Sequence, residues 1–378
     1  MTTMLRAVKP IIVKEFRQIR RDPTSLGMLL VLPAVLIVLV GYALNFDVKH
    51  TPLVIYDQDR TVESREFLDK FIQSEFFDYR FSAEGYGDIE EHFLHGRASI
   101  AVVIPPRFAR NLIAGNDVRV QILVDGSDAN TAGQAMATAV RLTADYATNV
   151  VAAAFARSGR QLYVPVDFQP RVWYNPDLIS SKFLVPGLIG FIIVLTAVIS
   201  TSLTVVREKE RGTMEQLMVS PLRPVQIVVG KTIPYVAISL VAATAILVLG
   251  YLLFDVEVRG SILLLYAAIL TIILGALGQG LLISTVTDSQ QVAFMMSVFS
   301  SLLPSFLLSG FIFPVASMPV VLQVLSNIAV NKFFLVVVRS VMLKGAGFDA
   351  VWPQFVYMIV FALVMLGVSI KRMQKRSA

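Results

Sequence analysis

The sequence predicts an α-helical multi-pass membrane protein with six transmembrane helices and an inserted extracytoplasmic α/β domain. Of the 378 residues, 55% are hydrophobic and only 16% are charged, which is well below the roughly 25% of an average soluble domain. Six apolar runs reach the length of about 20 residues that crosses a bilayer as a helix. The stretch between the first two runs, 47–182, has the charged composition of a water-soluble domain.

The six apolar runs define the predicted spans, of which spans two to six occupy 183–370. They cover 26–46, 183–206, 233–254, 261–286, 291–314 and 351–370. No Asp, Glu, Lys, Arg or His lies inside these cores, although carriers driven by ion gradients generally need such groups in the membrane. Sodium sites built from carbonyl and hydroxyl oxygens remain an alternative. The apolar stretch 315–350, interrupted by Pro319 and Gly345, predicts two short re-entrant helices in the outer leaflet.

The distribution of Lys and Arg predicts the orientation in the membrane. The N-terminal arm (1–25), the segment 207–231 and the basic tail (371–378) together hold 15 of these residues, and the short loops on the opposite side hold four. Lys and Arg accumulate in cytoplasmic loops. Both termini are therefore expected in the cytosol, and 47–182 is expected outside it.

The stretch PIIVKEFRQIRR, residues 10–21, predicts an amphipathic helix in the N-terminal arm. At about 100° per residue, Ile12, Phe16 and Ile19 fall on one side and the basic residues on the other. Pro10 suits the first turn of such a helix. We expect the helix to lie at the inner surface of the membrane with its basic side chains toward anionic lipid headgroups. A disordered basic leader is the alternative.

The inserted stretch alternates strand and helix signals. Extended runs occur at 52–57, 79–83, 99–105, 118–125 and 164–174. Helices are expected near 61–73 and 87–96, and an Ala-rich helix of about 30 residues follows DGSDANT. Together these elements predict one compact α/β domain.

Two short patterns that could indicate chemistry are incomplete. GKT at 230–232 resembles the end of a phosphate-binding loop, but Val225 stands where that loop needs its first glycine. Lys231 is therefore interpreted as a cation that reaches the inner membrane surface. His92 and His95 are spaced like part of a metal site, yet such a pair without a third ligand is more often solvated. We predict no catalytic, metal-binding or cofactor-binding residue in this chain, and no nucleic-acid partner.

The segment VVREKERGTMEQLMVSPLRP, residues 205–224, concentrates charges between two apolar spans. Thr213 and Gln216 have the spacing of a capping box, in which two side chains cap the start of a helix. Gly212 should therefore separate the second span from a new short helix. That helix must stop before Pro221.

The new helix is predicted at 213–219 and has a Met-rich apolar face. Met214, Leu217 and Met218 lie on this face at helical spacing. A flexible apolar face of this kind suits the groove of another protein. Packing back onto the protein's own spans is an equally good interpretation from physical reasoning alone.

In these residues the chain resembles the permease subunits of type-2 ABC exporters, specifically the bacterial drug or envelope exporters with a large external domain after the first span. The resemblance rests on REKERGTMEQLMVSPLRP (207–224), LLSGFIFPVASMP (307–319), GLLIST (280–285), DGSDANTA (125–132) and RQIRRDP (17–23). In that family two permease chains pair, and each binds a cytosolic ABC ATPase that holds ATP and Mg. The loop after the second span is the coupling helix, and the N-terminal amphipathic helix also contacts the ATPase.

The resemblance implies which residues of this chain meet the ATPase. The coupling positions are Glu208, Glu210, Arg211, Gly212, Thr213, Glu215 and Leu217, and the apolar face adds Met214 and Met218. The arm contacts are Lys14, Glu15, Arg17 and Arg21.

The resemblance implies an ABC exporter permease in the cell inner membrane, without an enzymatic site of its own. The exported cargo would be drug-like, lipidic or an envelope component, and the family does not identify it. Its partners would be the ATPase, membrane lipids and a second permease that is either identical or similar, and a periplasmic adaptor also fits. Two alternatives are a membrane-anchored module that recruits an envelope partner and an independent secondary carrier.

Overall fold

The computed structural model describes residues 2–43, 50–157, 173–176, 179–214 and 222–376. The chain divides into two compact units. Met1–Asn45 together with Arg171–Ala378 form one, here named the helical unit, and Phe46–Pro170 form the other, named the inserted unit.

The helices are numbered in chain order. The first seven are α1 (Thr2–Arg21), α2 (Pro23–Leu26), α3 (Leu32–Ala43), α4 (Val62–Ile72), α5 (Tyr86–Leu94), α6 (Phe108–Ile113) and α7 (Ala129–Arg157). The next seven are α8 (Ser180–Glu210), α9 (Pro224–Phe254), α10 (Ile262–Val286), α11 (Gln290–Leu303), α12 (Val320–Leu325), α13 (Val330–Lys344) and α14 (Phe348–Arg376). π-Helical turns at Gly27–Val31 and Pro304–Leu308 precede α3 and follow α11, and short 3-10 turns lie at Val315–Ser317 and Ser326–Ile328.

The inserted unit contains a four-stranded sheet in the order β2-β1-β3-β4. The strands are β1 (Thr51–Asp57), β2 (Phe77–Ser82), β3 (Ile100–Ile104) and β4 (Gln121–Val124). β1 runs parallel to β2 and β3, and β4 runs antiparallel to β3. These strands correspond to four of the five extended runs in the sequence. Residues 164–172 of the fifth run lie outside the described residues.

Both faces of this sheet are covered, which explains why every residue of β3 is buried. Successive residues of a strand point to opposite faces. Val102 accordingly packs in the cluster that contains Phe67 of α4 and Ala139 of α7. Its neighbour Val103 packs in a second cluster with Ile89 of α5.

Helix α8 forms the centre of the helical unit, where it is buried without interruption from Leu184 to Val206. It packs against α3, α9, α10, α11 and α13. Small residues permit the closest of these contacts. A Cβ atom at Gly190 of α8 would lie 2.2 Å from the Oδ1 atom of Asn331 on α13. At Gly280 of α10 a Cβ atom would lie 2.7 Å from the backbone oxygen of Val198.

Among the described residues, five helices are long and apolar enough to cross a membrane, so the helical unit is that of a multi-pass membrane protein. They are Ser180–Glu210, Pro224–Phe254, Ile262–Val286, Gln290–Leu308 and Phe348–Gln374, which correspond to predicted spans two to six.

The predicted first span and the predicted re-entrant segment are less simple. Within 26–46 the structure has a shorter apolar helix, Gly27–Ala43, and residues 44–46 lie outside the described part. Within 315–350, Val320–Ile328 and Val330–Lys344 are bent by 83° at their junction, as in a broken span or a re-entrant loop. By length and composition the count is therefore five, or up to six if the bent pair is one span, and the predicted six are not all matched by full-length helices.

Candidate functional site

Helix α1 buries one face inside the protein, and this face shares Ile19 with the apolar side that the sequence predicts for the membrane surface. Its described buried side chains are Val8, Ile11, Glu15 and Ile19, which recur at the three- and four-residue intervals of one helix face. Phe16, predicted to lie on the apolar face, is 41% exposed. Ile12 is partly buried and Ile19 is buried, so only part of the predicted apolar side packs inside the protein, and its contact with the membrane stays a prediction.

Contact with α9 explains which face of α1 is buried inside the protein. Ile11 packs so closely over Gly230 that a Cβ atom there would lie 2.7 Å from the Ile11 Cγ2 atom. The helix also begins at Thr2, so Pro10 lies inside it and not in its first turn. Because α1 packs on another helix, the buried face is chosen by that neighbour as well as by hydrophobicity.

Four charged side chains meet where α1, the end of α8 and the start of α9 come together. This charged junction consists of Lys14 and Glu15 from α1, Glu208 from α8 and Lys231 from α9. The Lys231 Nζ atom lies 3.1 Å from Glu15 Oε1 and also hydrogen-bonds Glu208 Oε2. Lys14 Nζ lies 3.2 Å from the same Glu15 oxygen and hydrogen-bonds Glu208 Oε1. Each ammonium group thus contacts both carboxylates.

Three members of the charged junction are almost completely buried. Glu15, Glu208 and Lys231 are 0%, 3% and 2% exposed. Burying a charge is unfavourable unless oppositely charged groups and hydrogen bonds compensate it. Two cations and two carboxylates balance here, although Glu15 Oε2 has no hydrogen-bond partner among the residues that the structure describes.

The charge of Lys14, the partly exposed member, is reinforced by its neighbours. Burial lowers the pKa of this ammonium group, but the hydrogen bond and charge of Glu208 and the charge of Glu15 outweigh burial. The pKa of Lys14 is raised above its usual value. Lys14 therefore stays charged at neutral pH.

This geometry corrects the interpretation of Lys231. Its ammonium group does not reach the membrane surface, because it pairs inside the protein with Glu15, 216 positions earlier in the sequence. The pattern around GKT offered no partner within reach, so local spacing could not identify the pairing. A lone lysine beside an apolar span, in a chain with a carboxylate at the end of the preceding span, was the signal that could have indicated it.

A second set of polar contacts holds the last turn of α8 to its neighbours. Arg207 pairs with Asp22, and its Nε atom donates to Gln290 Oε1 at 3.1 Å. Glu210 accepts a hydrogen bond of 2.8 Å from the backbone N–H of Gln290 at the start of α11. Lys209 donates to the carbonyl of Thr287 at 2.9 Å, near the end of α10, where carbonyl groups favour a cation. The end of α8 is thus fixed on several sides.

The described beginning of the segment between α8 and α9, residues 211–223, is a turn at Arg211 and Gly212, after which Thr213 and Met214 are helical. Gly212 has φ +70°, and its N–H donates to the carbonyl of Lys209 at 2.9 Å, which is the usual helix termination by glycine. The predicted helix break at Gly212 is confirmed. The Thr213 hydroxyl donates to the carbonyl of Glu208 at 3.1 Å. We name 211–223 the connecting segment.

Met214, predicted for the docking face, lies inside the protein. It is 3% exposed and packs with Val205, Ile227 and Met373. For Met214 the structure therefore supports the alternative interpretation, in which the apolar face packs on the protein's own helices. Glu215, Gln216, Leu217, Met218 and Pro221 lie outside the described residues, as does most of the predicted helix 213–219.

A basic cleft of about 870 Å³ opens beside the charged junction. Its charged lining is Lys14, Arg17, Arg21, Asp22, Arg207 and Arg211. The guanidinium groups of Arg17, Arg21 and Arg211 lie on exposed residues. Five cations against one carboxylate favour an acidic partner surface.

Comparison with known proteins places the chain in a family. Residues 23–371 match the family described as "ABC-2 family transporter protein". The chain belongs to this family. It is 31% identical over 373 residues to the "Probable multidrug ABC transporter permease YbhS" of Escherichia coli (strain K12), covering 98% of this chain and 97% of that protein.

Two further relatives from the same organism are also permeases by name. The "Probable multidrug ABC transporter permease YbhR" is 31% identical over 349 residues, covering 92% of this chain and 93% of the relative. The "Inner membrane transport permease YhhJ" is 25% identical over 380 residues, covering 98% of both chains. The similarity therefore extends over both the helical and the inserted unit.

In this ABC-2 family chain the described site residues that were predicted differ in their exposure to solvent. Glu15, Glu208 and Met214 are buried within the helical unit. The exposed ones are Lys14, Arg17, Arg21, Glu210, Arg211 and Thr213, and Gly212 is partly exposed. Asp22, Lys231 and Gln290 were missed, because each is recognised only by a partner on another helix.

The predicted absence of a metal site concerns mainly His92 and His95. The ring of His92 stacks on Phe81 with centroids 4.3 Å apart, and His95 Nδ1 lies 2.8 Å from the carbonyl oxygen of Glu91. In the part of the chain that the structure describes, no group of three or more His, Cys, Asp or Glu side chains could hold a metal ion.

Proposed function

We propose that this ABC-2 family chain is the permease subunit of an ATP-driven exporter whose energy comes from a separate cytosolic ABC ATPase. The observation that carries the proposal is the charged junction, where the N-terminal arm and both ends of the connecting segment meet beside an apolar helix bundle. Membership of the family and the names of the relatives support it.

The proposed orientation puts this end of the bundle in the cytosol. Both termini and the connecting segment lie on the side with 15 Lys and Arg residues, against four on the other. The inserted unit, within 47–182, would then lie outside the cytosol, and the protein would occupy the inner membrane of the cell.

The ATPase would bind the exposed residues around the junction. On the connecting segment and the turn before it these are Glu210, Arg211 and Thr213, and on the arm they are Arg17 and Arg21. The sequence adds Glu215, Leu217 and Met218 to the proposed contact. The basic cleft would receive acidic side chains of the ATPase, because its charge complements them.

Movement of the ATPase would reach the membrane through α8. This helix ends at the connecting segment and is buried through most of its length. A displacement of its end would therefore move the neighbouring helices that pack against it. The chain itself performs no covalent chemistry in this scheme. ATP and Mg are bound by the partner, and this chain needs no cofactor.

The proposal extends to the chemical class of the cargo and to the assembly of the exporter. We propose a drug-like, lipidic or envelope substrate, moved by this chain together with a second identical or similar permease. Membrane lipids surround the complex, and the inserted unit offers a surface for a periplasmic adaptor.

The proposal is tested by the ATPase activity that copurifies with the tagged chain from its own cells. The double variant Arg17→Glu/Arg211→Glu should lower this activity about ten-fold, because reversed charges at an interface repel the partner. Arg119→Glu, an exposed arginine of the inserted unit, is the matched control and should have no effect. Equal copurification by the double variant and the unchanged chain would contradict the proposed contact.

A further inference from the structure

Lys231 of α9 contacts one carboxylate on α1 and one on α8, and α8 and α9 are the two helices that flank the connecting segment. Glu208 lies three positions before Arg211, on the last turn of α8, and Lys231 lies near the start of α9. Their ion pair therefore connects the two helices from which the connecting segment starts and at which it ends. Through Glu15, the same ammonium group also holds the arm helix α1.

We propose that Lys231 is a positioning residue that joins α1 to the end of α8 and the start of α9, so that the arm and these two helix ends move as one body. The proposed function supplies only the cause of the movement, namely the ATPase. The joining itself is a property of this chain.

The arrangement of hydrogen bonds supports a rigid joint. Each ammonium group contacts both carboxylates, so no single helix can leave without breaking contacts to two others. Lys14 and Glu15 belong to the same helix and can pair when α1 is alone. Lys231 is thus the cation that gives α1 an oppositely charged partner on α9.

Burial makes separation of these helices unfavourable. If α1 moved alone, Glu15 would lose Lys231 and Glu208 would lose Lys14, so each of these carboxylates would keep only one of its two cation partners. Salt weakens exposed ion pairs far more than buried ones, so the joint should also persist at high ionic strength.

Packing next to the charged junction also holds α1, α8 and α9 together. Gly230, which precedes Lys231, lies directly under Ile11 of α1. One turn further into the bundle, the Tyr235 hydroxyl donates to Thr204 Oγ1 of α8 at 2.8 Å. The start of α9 is therefore in close contact with both α1 and α8, and Lys231 lies between these contacts.

The absence of cysteine from the sequence allows a direct test by spin labelling. Labels on Val13→Cys in α1 and Arg211→Cys in the connecting segment report their distance distribution in the full-length chain, reconstituted in lipid nanodiscs without ATPase. Lys231→Met should broaden this distribution at least about two-fold, because two buried carboxylates would then share Lys14 as their remaining cation in the junction, which forces the helices to repack. Arg223→Met removes an exposed cation near the same segment and should leave the distribution unchanged.

A second variant separates joining from folding. Lys231→Met/Glu208→Met removes one charge of each sign, and replacing both partners of a buried pair by apolar residues is often tolerated. This variant should unfold at a temperature close to that of the unchanged chain and still show the broad distribution. A narrow distribution in both Lys231 variants, or equal broadening by Arg223→Met, would overturn the proposal.

These results are independent of the proposed function. The labels are read without a partner, so the absence of a copurifying ATPase from the unchanged chain would refute the exporter role without changing them. Conversely, a narrow distribution in the Lys231 variants would leave the exporter role standing and remove only the rigid joint.

Discussion

Helix α8 is held by shape along its middle and by charge at its end. In the middle, Gly190 of α8 lies against side chains of α13, and Gly280 of α10 lies against the α8 backbone at Val198. At the end, Glu208 joins Lys14 and Lys231 from two other helices. Both regions are buried, but they depend on opposite properties of a side chain.

The difference has a physical consequence for substitution. A contact made by shape fails when volume is added, and the neighbouring helices can relax to relieve part of the strain. A contact made by buried charge fails when one partner is removed, because the remaining charge keeps its unfavourable burial. We therefore expect substitutions at the charged end to have the larger effects.

The largest effect is expected for Glu208→Ala. It leaves Lys231 buried with Glu15 as its remaining carboxylate partner in the junction, and breaking a buried pair destabilises proteins by about 3–5 kcal/mol. The measurement is the thermal unfolding midpoint of the purified chain in detergent, which should fall strongly. Glu210→Ala, two positions later but exposed, should lower it much less. Equal falls for the two variants would show that burial does not distinguish them.

Gly280→Ala should have the next largest effect. The new methyl group would meet the Val198 carbonyl oxygen at 2.7 Å, and backbone atoms cannot rotate away as a side chain can. Overpacking of this kind destabilises by about 1–3 kcal/mol. Gly367→Ala on α14, where a Cβ atom meets nothing within 4 Å, should be neutral or stabilising because alanine favours helix. A lower unfolding midpoint for Gly280→Ala and an equal or higher one for Gly367→Ala would support the role of shape at this contact. Similar decreases for both variants would contradict it.

A smaller effect is expected for Ser202→Ala. The Ser202 and Ser297 hydroxyl oxygens lie 2.6 Å apart between α8 and α11. Interhelical hydrogen bonds in membrane proteins contribute on average about 0.6 kcal/mol. The double variant Ser202→Ala/Ser297→Ala should lose less than the sum of the single variants, which a double-mutant cycle of unfolding midpoints measures. Strict additivity would mean that the two hydroxyl groups do not interact.

The smallest effect is expected for a charge of the inserted unit that is not deeply buried, Asp59. The backbone N–H of Ala109 and the hydroxyl of Thr61 donate to its carboxylate, and the Ala109 hydrogen bond is the main cause that lowers the pKa of Asp59 below its ordinary value of 3.8. A lowered carboxylate pKa stabilises the folded protein above the unfolded-state value, and this contribution is lost as pH falls through the folded-state value.

The pH dependence of Asp59 is measured by unfolding the chain at a series of pH values. The contribution of Asp59 should therefore disappear only below about pH 4. Asp59→Asn should show a smaller loss of stability over that acid range than the unchanged chain. Identical pH profiles would show that this carboxylate does not contribute.

Much of the fold could be predicted because its signals are local. The five long apolar helices follow from uninterrupted hydrophobic runs, and Gly212 ends α8 because glycine readily adopts a positive φ. Three strands of the inserted unit follow from short runs that contain Val and Ile, and β2 follows from the aromatic run FDYRFS. The face of α1 that packs inside the protein was not predicted, because hydrophobic periodicity does not anticipate a buried Glu15 that is paired with another helix.

The sequence by itself determined which segments are apolar, where helices end and on which side the basic residues accumulate, since these properties depend on composition and on neighbours a few positions away. The tertiary structure alone decided which charges are buried and which glycines lie at helix contacts. Lys231 and Glu15 illustrate the reason: they lie 216 positions apart, and a charge can be buried only where folding brings its partner within hydrogen-bonding distance.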